Sequence, residues 1–281
     1  MTSASTSKAG VFSSSKDLKS VAKKLRIHIV TMIARAGSGH PGGSLSAVEI
    51  VTALYWKVLR HKPSDPQWPD RDRFILSKGH AAPVLYAALA ECGYFPVAEL
   101  STLRQLNSRL QGHADRTHTP GVEMSSGSLG QGLSFAIGVA LAGRLDKKDY
   151  RTYALLGDGE CDEGQVWEAV MAAPQYKLDN LVAIVDHNGL QLSGCASEIM
   201  NLEPLPDKFA SFGWHVIAVD GHDFPQLLGA FEKAKKVKGK PVAVIARTIK
   251  GKGVSFMENN VDFHGKAPSA KELEIALKEL A

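Results

Sequence analysis

The sequence contains few cysteines and no large excess of charge of either sign. Its 281 residues include three cysteines, Cys92, Cys161 and Cys195, which form no motif and leave an odd number. A disulfide framework is therefore not expected, and a reducing cytoplasm is the expected location. The formal net charge is only +4, and lysine and arginine are spread along the chain, so nucleic acid is not an expected partner.

Long apolar runs are also missing. No stretch approaches the roughly 18 residues that a membrane-spanning helix requires, so the sequence predicts no membrane span. The first residues are rich in serine and threonine but have no apolar segment typical of a secretory signal. We therefore predict a flexible tail over residues 1–15, with an organellar address as the alternative, and one domain over residues 16–281.

Short apolar segments alternate with helical patterns along the rest of the chain. The segments show little polar alternation, which indicates strands buried on both faces, as in a parallel sheet covered by helices. The predicted strands are Phe74 to Leu76, Thr152 to Leu156, Leu181 to Val185, His215 to Val219 and Val242 to Ala246. The predicted helices are Lys16 to Ala36, Ala47 to Leu59, Ala82 to Ala90, Gly132 to Arg144, Trp167 to Tyr176, Phe224 to Lys236, and a final one capped by Ser269 and Glu272. This order predicts an α/β fold, a parallel sheet between two helical layers.

Oxygen-bearing side chains follow two consecutive predicted strands. Asp158 stands between two glycines after the first strand, and Asn188 follows the second, 188 − 158 = 30 residues later. Ligands of parallel sheets bind at the carboxyl ends of strands, and Mg²⁺ takes oxygen ligands that it shares with phosphates. The spacing therefore predicts a metal–diphosphate site. The nearby Asp186 is interpreted as an ordinary turn aspartate.

Glycine-flanked histidines and one glycine-rich turn are the other candidates. Five histidines adjoin a glycine, which allows a ligand to approach closely, although a plain loop histidine is the alternative for each. The turn from Ser125 to Gly132 precedes a predicted helix and could present backbone N–H groups to an anion or a cofactor ring, or simply cap the helix. The five histidines are His40, His80, His113, His222 and His264.

Taken in order, these motifs resemble the thiamine diphosphate-binding N-terminal part of transketolases. The resemblance runs from about Leu18 to the end of the chain through SGHPGG, DRFILSKGH, SSGSLGQG, the Gly-Asp-Gly…Asn segment, GWHVIAVDGHD and KGKGVSFMENNVDFHGKAP. The Gly-Asp-Gly…Asn segment alone would fit any thiamine diphosphate enzyme. SGHPG and the late Phe-His-Gly narrow the resemblance to the transketolase group.

The resemblance implies a role for individual residues. Mg²⁺, or Ca²⁺ or Mn²⁺ in its place, would be held by Asp158, Asn188 and the backbone carbonyl of Leu190. Thiamine diphosphate would contact His80, Gly127, Ser128, Leu129, Gly159, Asn188 and His264. The catalytic set would be His40, His113 and His264, which line the substrate channel, and Glu163 near a subunit contact. For Glu163, stabilising a helix start is an equal alternative. Histidines with pKa values near neutrality are expected to move protons to and from sugar oxygens.

The chain has only about half the length expected of a full transketolase, and nothing in it matches the family's second domain. The resemblance therefore implies the N-terminal subunit of a split transketolase, which is inactive by itself and forms a heterotetramer with a separate C-terminal subunit. Its reaction would be two-carbon ketol transfer between sugar phosphates in the pentose phosphate pathway. The alternatives are a related subunit that acts on an unusual or branched sugar phosphate, and a non-catalytic cofactor-binding module.

Overall fold

The first helix shows how sequence sets the limits of an element. The computed structural model describes residues 17–281, so the predicted tail over 1–15 lies outside the described residues. Helix α1, Leu18–Ala36, begins where the Asp17 side chain accepts a hydrogen bond from the Ser20 backbone N–H. It ends at Gly37, whose φ of 61° lies in the left-handed region that glycine adopts without strain.

The sheet contains the five predicted strands. Numbered with two short strands of a separate hairpin, the strands are β1 Arg73–Leu76, β2 Thr152–Gly157, β3 Leu181–His187, β4 Leu190–Gln191, β5 Gly194–Cys195, β6 His215–Asp220 and β7 Val242–Arg247. The five predicted strands pair in the order β1-β2-β3-β7-β6, and every pair is parallel. Their ends differ from the prediction by no more than two residues. The hairpin, β4 and β5, follows β3.

Helices cover both faces of the sheet, which confirms the predicted α/β fold. The α-helices that follow α1 are α2 Pro41–Ser46, α3 Val48–Ala53, α4 Ala82–Cys92, α5 Gln131–Leu145, α6 Gly164–Gln175, α7 Ala196–Ile199, α8 Leu205–Ser211, α9 Phe224–Lys236 and α10 Ala270–Glu279. One apolar core joins the strands to α1–α4, α9 and α10, and the other joins them to α5, α6 and α8. In the part of the chain that the structure describes, no helix is long and apolar enough to span a membrane.

The helix predicted from Ala47 to Leu59 is present from Val48 to Val58, but its second half is π-helical, and the short helix that precedes it was not predicted. Two short helices, α2 and α3, meet at Ala47, whose backbone departs from helical angles, and a π-helical turn, Leu54–Val58, follows. All residues of α2 and α3 are buried. Because the segment has no solvent-exposed face, its sequence carries no amphipathic pattern from which the break could be recognised.

Candidate functional site

The carboxyl ends of β2 and β3 lie side by side, as the sequence pattern predicts. Asp158 directly follows β2, and Asn188 directly follows β3. The Asp158 carboxylate accepts hydrogen bonds from the Gly159 N–H at 2.9 Å and from the Gly189 N–H at 2.5 Å. The Asn188 side-chain oxygen accepts one from the Leu190 N–H at 3.1 Å. These bonds fix the orientation of both side chains at the same edge of the sheet.

Asp158 is a buried carboxylate that accepts hydrogen bonds from two backbone N–H groups. It is 5% exposed, and burial together with the nearby Asp186 raises its pKa, although the two backbone N–H groups oppose the shift. A divalent cation would relieve this unfavourable burial of negative charge. Within residues 17–281, no cluster of three or more histidine, cysteine or acidic side chains could hold a metal. The candidate set is instead one carboxylate, one amide and one carbonyl, an oxygen set that suits Mg²⁺.

Lys250 brings a positive charge to this edge, and the sequence motifs do not single it out. Its ammonium donates to the Leu190 carbonyl at 2.9 Å and lies 2.9 Å from His264 Nδ1. Burial and the neighbouring Lys78 lower the pKa of Lys250 to about 8, although Asp158 works against the shift. A cation held in this position is suited to an anionic ligand such as a diphosphate.

Four of the five glycine-flanked histidines meet beside this edge. The His40 ring lies 5.4 Å from that of His80, 6.1 Å from that of His113 and 5.6 Å from that of His264, measured between centroids. The rings of His80 and His264 are stacked 5.1 Å apart. His222 does not join them, since it bonds to Glu49 instead.

The pKa values of these histidines differ from the expectation. Burial, then Arg104, lowers the pKa of His40 to about 4. Burial, then Lys250, lowers the pKa of His264 to about 3. Burial likewise lowers the pKa of His80 well below its ordinary value, and burial and Arg104 lower the pKa of His113. The near-neutral values expected for His40 and His264 are therefore wrong. Uncharged imidazoles can each donate one hydrogen bond and accept another.

The glycine-rich turn packs closely against two of the site histidines or their neighbours, His113 and Gly79. A Cβ added to Gly79, beside His80, would lie 2.7 Å from the Gly127 nitrogen, and one added to Gly127 would lie 3.5 Å from His113. Ser128 is exposed. Helix α5 begins at Gln131, and its N-cap, Gly130, makes no side-chain cap. One cavity gathers several predicted site residues: His80, Leu129, Asp158, Gly159, Asn188, Leu190 and His264, together with Lys250.

The interpretation of Asp186 as an ordinary turn aspartate is wrong. Asp186 is fully buried, pairs with the Lys78 ammonium, and accepts hydrogen bonds from the hydroxyls of Ser46, at 2.6 Å, and Thr248. Burial favours the neutral acid, but Lys78 and these donors prevail and keep the pKa of Asp186 below its usual value. The partners come from separate segments of the chain, so no local pattern in the sequence indicates this network beneath the site.

Glu163 and Glu160 have different environments. Glu163 is exposed, directly precedes α6 and packs beside Gly130, where an added Cβ would lie 2.7 Å from the Glu163 Cβ. Glu160 is 2% exposed and accepts hydrogen bonds from the backbone N–H groups of Gly130, at 3.0 Å, and Gly157, at 3.1 Å, and from the Ser77 hydroxyl. Glu160, which no sequence motif marks, thus ties the glycine-rich turn to β2.

Comparison with known proteins points to one family. The model of the family "Transketolase, thiamine diphosphate binding domain" matches residues 18–280. The chain is 46% identical to the 6-deoxy-6-sulfo-D-fructose transketolase subunit SqwG of Clostridium sp., with 94% of this chain and 96% of that protein covered. It is 44% identical to one subunit of the apulose-4-phosphate transketolase of Actinobacillus succinogenes, with the same coverage of each.

The chain is also similar to part of longer transketolases. The human transketolase is 45% identical over 94% of this chain, which spans 42% of that protein. A crystal structure of a transketolase mutant from Pichia stipitis superposes with a TM-score of 0.89 at 33% identity, over 95% of this chain and 41% of that one. The chain therefore matches the subunit relatives along almost their whole length, but less than half of these longer enzymes.

Proposed function

Since the chain belongs to the family of transketolase thiamine diphosphate-binding domains, we propose that it is the N-terminal subunit of a two-chain transketolase. The observation that carries this proposal is the meeting of Asp158, Asn188 and Leu190 with four histidines at one edge of the sheet. The proposed reaction transfers a two-carbon ketol unit from a ketose phosphate to an aldose phosphate. A separate C-terminal subunit supplies the rest of the active site.

Mg²⁺ is the proposed metal, with Ca²⁺ or Mn²⁺ as substitutes. Its ligands in this chain are Asp158, Asn188 and the Leu190 carbonyl, and burial of the Asp158 carboxylate supports this choice. Lys250, which already lies 2.9 Å from the Leu190 oxygen, balances the negative charge of a diphosphate bound at the same place. The site thus offers positive charge at the diphosphate end of the cofactor.

Thiamine diphosphate is the proposed cofactor, and when bound it stabilises the carbanion that ketol transfer requires. The chain's share of the work is to bind and orient it. His80, Leu129, Gly159, Asn188 and His264 line one cavity, which supports their role as cofactor contacts. Two further proposed contacts, Gly127 and Ser128, lie on the glycine-rich turn, where Gly127 packs against His113.

Three histidines are the proposed catalytic groups of this chain. His40, His113 and His264 present uncharged rings, so each can donate a hydrogen bond to one sugar hydroxyl and accept one from another. Glu163, the fourth proposed residue, is exposed beside Gly130 and so remains accessible to a second subunit. We propose that it lies at the subunit contact near the cofactor.

Reconstitution tests this function. The chain is mixed with the candidate C-terminal subunit, Mg²⁺ and thiamine diphosphate, and ketol transfer from xylulose 5-phosphate to ribose 5-phosphate is measured. We expect activity only in the full mixture, and Asp158→Ala should abolish Mg²⁺-dependent cofactor binding in the complex. Substantial activity of the isolated chain would refute the two-chain assignment, and unchanged cofactor affinity of the variant would refute the metal assignment.

An unusual or modified sugar is a second candidate substrate. The subunit relatives are named for 6-deoxy-6-sulfo-D-fructose and apulose 4-phosphate, while the human relative is named simply as a transketolase. A substrate panel that includes these two sugars separates the alternatives by comparing kcat/KM for each donor. A mixture that binds cofactor but transfers no ketol unit from any donor would favour a non-catalytic module.

A further inference from the structure

A buried ionic network contacts the loop that carries Lys250, and none of its three residues lines the cavity. Arg26 from α1 and Glu49 from α3 are each 7% exposed and form a two-pronged ion pair. The two N–O distances are 2.7 and 2.8 Å. His222, between β6 and α9, completes the network, since its Nδ1 lies 2.9 Å from a Glu49 oxygen.

Backbone contacts determine the direction of these hydrogen bonds. The Ile249 N–H donates to His222 Nε2 at 2.8 Å, so the His222 ring carries its proton on Nδ1 and donates it to Glu49. Burial opposes ionisation of Glu49, but the bonds from His222 and Arg26 prevail, and its pKa lies below the ordinary value. The Glu49 carboxylate is thus neutralised and hydrogen-bonded within the network. The further bonds that Arg26 and His222 make to the backbone indicate a structural role.

That task concerns the segment from Ile249 to Gly253. His222 holds its first residue, and Arg26 Nε donates to the Lys252 carbonyl at 2.9 Å near its end. Gly253 adopts a φ of +95°, and an added Cβ there would lie 2.8 Å from Arg26 Cδ. The network therefore holds the loop at both ends, with Lys250 between the two contacts.

We propose that Arg26, Glu49 and His222 are positioning residues for Lys250. They fix the Ile249–Gly253 loop so that the Lys250 ammonium faces the Leu190 carbonyl and His264. The inference rests on the proposed function of this edge as the diphosphate and metal site. The three residues do not line that cavity, so their effect on it passes through the loop.

His222 is the best position for a test because its two ring nitrogens make different contacts: Nδ1 donates to Glu49, and Nε2 accepts from the Ile249 N–H. In His222→Asn the side-chain amide can reach the Nδ1 position and still donate to Glu49, but the Ile249 N–H loses its acceptor. In His222→Gln the longer side chain can place an oxygen near the Nε2 position and accept from Ile249. Both variants remove the imidazole of His222. His222→Asn can retain the contact with Glu49, and His222→Gln can retain the contact with the Ile249 N–H.

The first measurement is hydrogen–deuterium exchange of the full chain without added ligands. We expect His222→Asn to increase exchange of residues 249–253 well beyond any change elsewhere, and His222→Gln to restore much of the protection. Equal exchange in the two variants, or exchange equal to that of the wild type, would overturn the proposal. This measurement requires neither cofactor nor partner, so it decides the inference even if thiamine diphosphate does not bind.

The second measurement is the affinity of the reconstituted complex for thiamine diphosphate with Mg²⁺. We expect His222→Asn to weaken it roughly 10-fold, as loss of an outer contact typically does, and His222→Gln to weaken it less. In a Lys250→Met background, His222→Asn should have little further effect because both act through the same ammonium. An undiminished loss in that background would show that His222 does not act through Lys250. Absence of wild-type binding would instead contradict the proposed function.

Discussion

At the scale of single residues, the site combines uncharged imidazoles with a buried carboxylate and a buried ammonium. The depressed pKa values of His40 and His264 follow from burial and from nearby positive charge. The same cations attract an anionic ligand. The features that make the histidines poor proton acceptors in the isolated chain are thus those that suit the edge for a diphosphate.

These histidines predict how stability depends on pH. In the unfolded chain they take up protons near the ordinary pKa of 6.5, whereas in the folded chain His40 does so only near pH 4. Their contribution to folding is therefore complete above pH 6.5 and is lost as the pH falls toward 4. For the chain without cofactor, His40→Asn should reduce the loss of unfolding free energy between pH 7 and pH 5 by about 1 kcal/mol, allowing for partial exposure. Urea titrations at both pH values measure this, and equal losses in the two proteins would contradict it.

Single residues also show where the sequence was informative. Asp158, Asn188 and the four clustered histidines stand beside glycines or directly after strands, so local patterns indicated them. Lys78 and Lys250 also stand beside glycines, but neither they nor Asp186 have a local pattern that indicates their partners. These partners lie as much as 140 residues away along the chain, and only the folded structure brings them together.

At the scale of elements, close approach between backbones holds the loops of the site in place. Gly132, in the first turn of α5, packs against Ser77 at the end of β1, and an added Cβ would lie 2.7 Å from the Ser77 Cα. Gly138, two turns later in the same helix, is exposed, and a Cβ added there would have no heavy atom of a neighbouring residue within 4 Å. One helix thus contains a glycine that packing requires and another that it does not.

These two glycines form a matched pair for alanine substitution. Gly132→Ala should destabilise the chain by about 1–3 kcal/mol because the backbone after β1 has to move. Gly138→Ala should stabilise it by about 0.5–1 kcal/mol, since alanine is the better helix former and the position is open. Thermal and urea unfolding of the two variants measure the difference. Destabilisation of similar size at both positions would contradict the packing argument.

Regular elements were the most predictable part of the fold. The strands and α9 are long enough and apolar enough at the right positions for periodicity to mark them, and the Ser269–Glu272 capping box is present as predicted. The short helix α2, the π-helical turn after α3 and the 3-10 turn around His80 were not predictable in this way. Their geometry depends on tertiary contacts rather than on an amphipathic pattern.

At the scale of the whole molecule, the chain offers ligands for one end of the proposed cofactor. The cavity residues from Asp158 to Lys250 suit a metal and a diphosphate. If a second subunit contacts the other end, thiamine diphosphate should bind more tightly to the mixture than to this chain alone. Calorimetric titration with Mg²⁺ present should show at least about a 10-fold difference, equivalent to about 1.4 kcal/mol. Equal affinities would mean that this chain alone makes all the contacts that matter for binding.

The cavity collects residues from nearly the whole chain, from Gly43 to His264, and the histidine cluster extends it to His40. The sequence distance between His40 and His264 is 264 − 40 = 224 residues, so a fragment that lacks either end of this span lacks part of the site. If the cofactor binds as proposed, its capture requires that both ends of the span have folded against each other. A copy truncated within the span would remain unloaded.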